Sequence, residues 1–179
     1  MPRKLRLLPA ALVVLAGAGT ARAQATPGAS AVVPVFSIAK SENRNQVQYV
    51  VRLDDHCAPS GPAPVSAYWR MLEKGPMQTA PLLSREVRAY GLASQAVVDG
   101  DASGGRVRAV LKALPQRPLL IVTSRGADGS CRALATVVIA GAPAHLFDVY
   151  VHLRWYGVDY VLLQGWSTDG SRVVREKLK

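Results

Sequence analysis

Only two cysteines and three histidines occur in the sequence, and neither set has the spacing of a metal or redox site. There is no C-x-x-C and no cysteine–histidine cluster, so neither structural zinc nor thiol–disulfide catalysis is indicated. The common catalytic fingerprints are missing as well. No G-x-S-x-G, no P-loop and no dinucleotide-binding glycine pattern after a strand can be found. The nearest approach is GWSTDG, from Gly165 to Gly170, which has one residue too many and reads as a turn through Asp169-Gly170. Acids are scarce, 12 against 22 Lys and Arg, for a formal charge of +10. The basic residues are scattered rather than gathered into a stripe, so nucleic acid is not the expected partner. No long helical period is present.

The N-terminus has three distinct regions. Arg3, Lys4 and Arg6 form a basic start with no acid, Leu7 to Thr20 is apolar and small, and Ala21-Arg22-Ala23 supplies an A-x-A cleavage pattern. This predicts a secretory signal peptide over residues 1–23, cleaved near Ala23, and hence an exported protein, periplasmic or secreted. A membrane anchor needs about 20 apolar residues; this run is shorter and is weakened by Pro9 and two glycines. No transmembrane segment is expected in the mature chain. No cysteine follows the run and no arginine pair precedes it, which argues against lipid anchoring and twin-arginine export.

Cleavage leaves 156 residues and lowers the charge to +6. That length suits one domain with a substantial core. Residues 24–32, small and polar with Pro27 and Gly28, read as a flexible leader, and residues 33–179 as one all-β domain. Both cysteines, Cys57 and Cys131, fall in the mature part. In an exported chain they most simply form one disulfide, the alternative being two separate thiols. His56 beside Cys57 would tune a thiol only in the second case.

Strand signals recur from Val33 onward. Val47, Tyr49, Val51 and Leu53 point one way and Gln48, Arg52 and Asp54 the other, with Val50 out of pattern; this is the period of a half-buried antiparallel strand. Val33 to Lys40, rich in β-branched residues, precedes it, with Pro34 placed at a start or an edge. Further strands are expected over Val65 to Leu72, Arg106 to Leu114, Leu119 to Arg125, Cys131 to Ala140, Val158 to Trp166 and Arg172 to Leu178. Phe147, Val149, Val151, Leu153 and Trp155 alternate with Asp148, Tyr150, His152 and Arg154 in the clearest strand of the chain. Ser84 to Val98 is ambiguous between a helical turn and a bent strand. Asp128-Gly129 and Asp169-Gly170 suit tight turns with positive φ. The sum is about nine or ten short strands with close, turn-rich connections, which predicts an antiparallel β-sandwich or a meander barrel.

Few positions carry chemistry. DGDASGG, Asp99 to Gly105, matches the start of a calcium loop, but Val110 stands where its glutamate belongs, and the segment reads as a hairpin. His145 and His152 are seven apart, which is no metal spacing. Tyr150, Trp155, Tyr156, Tyr160 and Trp166 crowd the last third; such residues line a site in some barrels and pack cores or cross-strand pairs in most. No catalytic residue, metal or cofactor is assigned from these residues.

Five stretches, in order, carry a resemblance: VFSIAKSENRNQVQYVVRL, VSAYWRMLEKG, AYGL, LKALPQRPLLI and VYVHLRWYGVDYVLLQGWSTDGSRVVREKL. Together, from about Phe36 to Leu178, they are similar to the bacterial exported family catalogued as domain of unknown function 4833. The Asn43-Arg44-Asn45 turn, the Tyr68-Trp69 pair and Ala89-Tyr90-Gly91 are the most distinctive pieces. The resemblance implies a secreted or envelope-located single domain and supplies no activity, cofactor or catalytic residue. The cysteine pair is not part of the pattern, so the bridge rests on compartment. Asn43, Arg44 and Tyr90, inside these motifs, and Arg70, after the aromatic pair, are the candidate binding residues. The Arg44 guanidinium suits either an anionic group or a tie to a neighbouring carboxylate. The polar knot Ser41 to Asn45 reads as a hairpin whose side chains bond back onto the fold.

Two function classes follow. The first is a non-enzymatic envelope module binding a small apolar ligand, a glycan or another envelope protein. The second is a hydrolase or transferase acting on envelope material, its site gathered from separate strands.

Overall fold

A computed structural model describes residues 30–155 and 157–179. The expected signal peptide, most of the leader and Tyr156 lie outside the described residues.

Eleven strands and one short helix follow one another: β1 (Ala31–Lys40), β2 (Asn43–Leu53), β3 (Val65–Arg70), β4 (Thr79–Pro81), α1 (Ser84–Tyr90), β5 (Leu92–Asp101), β6 (Gly104–Leu111), β7 (Leu119–Arg125), β8 (Cys131–Ile139), β9 (Ala142–Arg154), β10 (Gly157–Ser167) and β11 (Val173–Leu178). The all-β expectation is met. The ambiguous segment turns out to be both of its alternatives, a helix and then a strand, divided at Gly91. A Cβ there would lie 2.3 Å from the Val87 carbonyl oxygen that closes the last helical turn. β1 starts at Ala31, two residues before Val33, where the strand signals begin in the sequence. Ala31 and Val32 already pair with Leu53 and Arg52 because β2 runs long enough to receive them.

The strands form one sheet that forks. β4-β3-β2-β1 is one leaf, β8-β7-β6-β5 is the other, and both join the same edge of β9. Residues 142–146 of β9 pair with β8, and residues 148–151 pair with β1. The opposite edge of β9 carries β10, then β11. Where the two leaves part, Phe147 is unpaired: Asp148 faces Gln164 and Leu146 faces Gly165. This bulge reverses the side-chain alternation. Ala144 and Leu146 are buried before it and Val149 after it, so Phe147 leaves the core face that simple alternation assigned to it. It meets the Trp166 ring instead, 6.0 Å away.

Phe36, Ile38, Val47, Tyr49, Val51 and Leu53 of the first leaf share one buried cluster with Val107, Leu111, Ile121, Val137 and Ile139 of the second. The leaves thus face each other as in a sandwich. Three expectations need correction. The sheet is not closed into a barrel, because β4, β5 and β11 each end a row of pairing. The pairing is not wholly antiparallel, since β1 runs parallel to β9. The described residues form eleven strands, the extra one being β4, whose three residues are too few to show a period and end in Pro81, an edge-strand residue.

Two links brace the open side. Cys57, in the loop after β2, is bonded to Cys131 at the start of β8, with Cα atoms 5.3 Å apart. Across the unpaired gap between β3 and β5, the Gln95 carboxamide takes the place of a strand neighbour. Its oxygen accepts the Val65 N–H at 2.8 Å and its NH₂ donates to the Val65 carbonyl at 3.0 Å. Val65 is buried, so both backbone groups need these partners. Gln95→Ala is expected to lower unfolding stability by about 2 kcal/mol. A urea midpoint within error of wild type would show that water replaces the amide at no cost.

Candidate functional site

The polar knot is a structural joint. Its turn is only Ser41-Glu42; Asn43 to Asn45 already belong to β2. The Asn43 side chain accepts the Asn45 N–H at 3.1 Å, and the Asn45 side chain accepts the Glu73 N–H at 3.2 Å. Ser41 extends the parallel β1–β9 ladder, donating its N–H to the Val151 carbonyl and accepting the Leu153 N–H on its hydroxyl. Glu73 takes the backbone N–H of Arg44, not its guanidinium. Arg70 reaches the Gln48 side chain at 3.5 Å, a long contact.

Asn43 lines a hollow of about 360 Å³ together with Lys40, Asn45, Trp69, Met71 and Glu86. Trp69 is buried, 8% exposed as a residue, and its indole N–H donates to Glu86. Glu86 also accepts the Leu83 N–H at the start of α1, the main reason its carboxyl stays below the ordinary range. A tryptophan so covered is a poor platform for a sugar ring, and the hollow reads as packing around the helix start.

Tyr90 lies elsewhere. Its carbonyl accepts the hydroxyl of Tyr49, which is fully buried and stacks on Phe36. Its ring meets Trp69 edge-on at 5.7 Å. Burial raises the pKa of both tyrosine hydroxyls. The other side of Tyr90 lines a larger groove, about 660 Å³, at one end of the fork. So the structure separates the four candidate residues: Asn43 lies at the hollow, Arg44 on the hairpin, Arg70 beside Gln48, and Tyr90 at the groove.

The groove has two kinds of wall. Val151 and Leu153 of β9, Val158, Tyr160 and Val161 of β10, and Leu178 of β11 are apolar. The second wall is the end of α1, with Arg88 and Ala89, and the β6–β7 turn from Lys112 to Arg117. The Lys112 N–H donates to the Gly91 carbonyl at 3.0 Å, holding turn and helix together. Arg117 is locked by two bonds of 2.6 Å to Glu176, which also accepts the Ala140 N–H. That pairing lowers the Glu176 carboxyl and raises the Arg117 guanidinium. Leu114, Val151, Val161 and Leu178 pack against the main core, so the groove floor is continuous with it.

Other polar groups are engaged within the fold. Asp148 accepts the Ser37 hydroxyl and the Gln164 amide, each at 3.1 Å, and burial raises its pKa. His152 stacks on Tyr160 at 4.8 Å and lies 3.3 Å from Asp159, which also holds Arg154. The Nδ1 contact with Asp159 is at ion-pair distance but lacks hydrogen-bond geometry. Among the described residues no serine, threonine or cysteine is bonded to His152. In the calcium-like loop, Asp101 accepts both the backbone N–H and hydroxyl of Ser103, and Asp99 is paired with Arg106. Among the described residues no group of three or more His, Cys, Asp or Glu is placed to hold a metal ion. No described helix is long and apolar enough to cross a membrane.

Residues 36–177 match the family model described as a domain of unknown function, DUF4833. The chain belongs to this family. The DUF4833 match spans nearly the same residues as the resemblance drawn from the motifs, Phe36 to Leu178. No curated protein and no solved structure matches the chain. Within this DUF4833 chain, sequence reasoning found one groove residue among its binding candidates, Tyr90. It missed Arg88, Lys112, Leu114 and Leu178. The usable signal was the late aromatic and apolar cluster, of which Tyr160 forms part of the wall.

Proposed function

We propose that this chain is an exported, non-enzymatic binding module that takes a small apolar ligand in the groove between α1, the β6–β7 turn and the β9–β11 strands. The observation that carries this reading is the groove's floor. Apolar side chains from three strands and a turn lie open at its base, where a filled sandwich would cover them with its own residues. A concave, mostly apolar site of several hundred Å³ is the usual form of a small-molecule pocket. Export is supported by the basic, apolar and A-x-A regions of residues 1–23 and by the disulfide, a bond favoured in oxidising compartments.

Native mass spectrometry of protein purified from its own cells tests the proposal. The expected result is a bound small molecule, released by organic extraction and absent from Leu153→Asp protein. Leu153 is only half-buried, so this change leaves the main core intact. An apo mass, joined with failure to take up any alkyl probe, would sink the carrier reading.

A further inference from the structure

We infer that the groove ligand is an amphiphile with an anionic head, a carboxylate or a phosphate, a conclusion that rests on the groove being the ligand site. Arg88, Lys112 and Arg117 come from its α1 and β6–β7 wall and Lys179 from the position after β11, while no aspartate or glutamate side chain lines it. Arg117 is already neutralised by Glu176. Arg88 and Lys112 are not: among the described residues neither has an acid within ion-pair distance. The bond from the Lys112 N–H to the Gly91 carbonyl sets these two cations on adjacent segments, one on the last turn of the helix and one at the start of the β6–β7 turn beside it.

The facing wall is apolar along Val151, Leu153 and Val158, and its one basic residue, Lys179, lies at its end after Leu178. The groove therefore presents positive charge on one side and hydrocarbon on the other. A neutral alkyl chain would satisfy only the second. A cationic amphiphile would be repelled by the first. An anionic head at Arg88 and Lys112, with its chain laid over the β9–β10 wall, satisfies both, and the aliphatic stems of the two cations extend the apolar surface beneath it.

The test is equilibrium dialysis of the mature protein against four monomeric twelve-carbon probes at neutral pH: dodecanoate, dodecyl phosphate, dodecanol and dodecyltrimethylammonium. At least one anion is expected to bind about tenfold more tightly than dodecanol, the sum of two partly exposed charge contacts. The stronger of the two anions identifies the head group. The preference should shrink with added salt. It should vanish in Arg88→Gln/Lys112→Gln protein, which removes both charges but keeps most of the aliphatic stems, while dodecanol affinity stays within about twofold; both side chains are exposed, so the fold does not depend on them. Dodecanol or the ammonium probe binding as tightly as both anions overturns the head-group inference and leaves the groove reading in place. No uptake of any probe overturns both.

Discussion

Replacing both bridge cysteines, Cys57→Ala/Cys131→Ala, is expected to cost about 4 kcal/mol of unfolding stability, because the bridge spans 74 positions and removes that loop's freedom from the unfolded chain. Its placement makes the effect more than local. One end sits in the loop that closes the first leaf and the other begins β8 of the second, so the bond ties the leaves together far from their junction on β9. Cys57 is fully buried with a left-handed backbone, φ +65°, and its carbonyl accepts the Thr123 hydroxyl of β7 at 2.8 Å. Alanine at both positions avoids burying a new hydroxyl in that pocket. Urea unfolding of oxidised wild type against the double variant measures the difference. A loss below about 1 kcal/mol would mean that the unfolded chain is already compact across this loop. A chain kept in a reducing compartment would lack the brace.

What the sequence made legible was local. Alternation placed β2 and β6 within a few residues, turn signals bounded β7 and β10, and Asp128-Gly129 and Asp169-Gly170 form turns with Gly129 at φ +79° and Gly170 at +71°. The bonding of the polar knot back onto the fold was also readable, because asparagine in a strand-flanked turn has few other partners. The missed features depend on distant partners. The parallel pairing of β1 with β9 joins Ser37 to Asp148, 111 residues away, and no local period signals it. The Phe147 bulge arises where β9 leaves β8 for β1, so its effect on facing follows from the fork and not from the alternation of β9 itself. The groove is harder still. Val151 and Leu153 were assigned to an inward face, but whether that face is covered depends on where α1 and the β6–β7 turn come to rest. Arg88 and Lys112, 24 positions apart in the chain, become a pair only through the bond at Gly91.

Gly104→Ala is expected to be among the most damaging single substitutions, costing about 3 kcal/mol or more. Gly104 opens β6 with φ +145°, a region that side chains rarely adopt, and a Cβ there would lie 2.1 Å from the Thr123 carbonyl oxygen and 2.8 Å from its carbon. Both obstacles are backbone, so no rotamer relieves them. Gly129→Ala provides the comparison. It also has positive φ, +79°, but nothing lies within 4 Å of the added carbon. It should therefore cost only the conformational penalty, about 1 kcal/mol. Chemical denaturation of the two variants separates collision from strain, and equal losses would show that the β6–β7 approach yields freely. The consequence at Gly104 reaches beyond one hairpin. Thr123 is buried, and its hydroxyl lies within bonding distance of both the Cys57 carbonyl and the Gly105 carbonyl, at 2.8 and 3.1 Å. Pushing β7 away from Gly104 breaks the contact between the leaves beside the disulfide. The glycine that gives DGDASGG its calcium-loop look is thus required by the close approach of two strands, while the neighbouring carboxylates are taken up by Ser103 and Arg106.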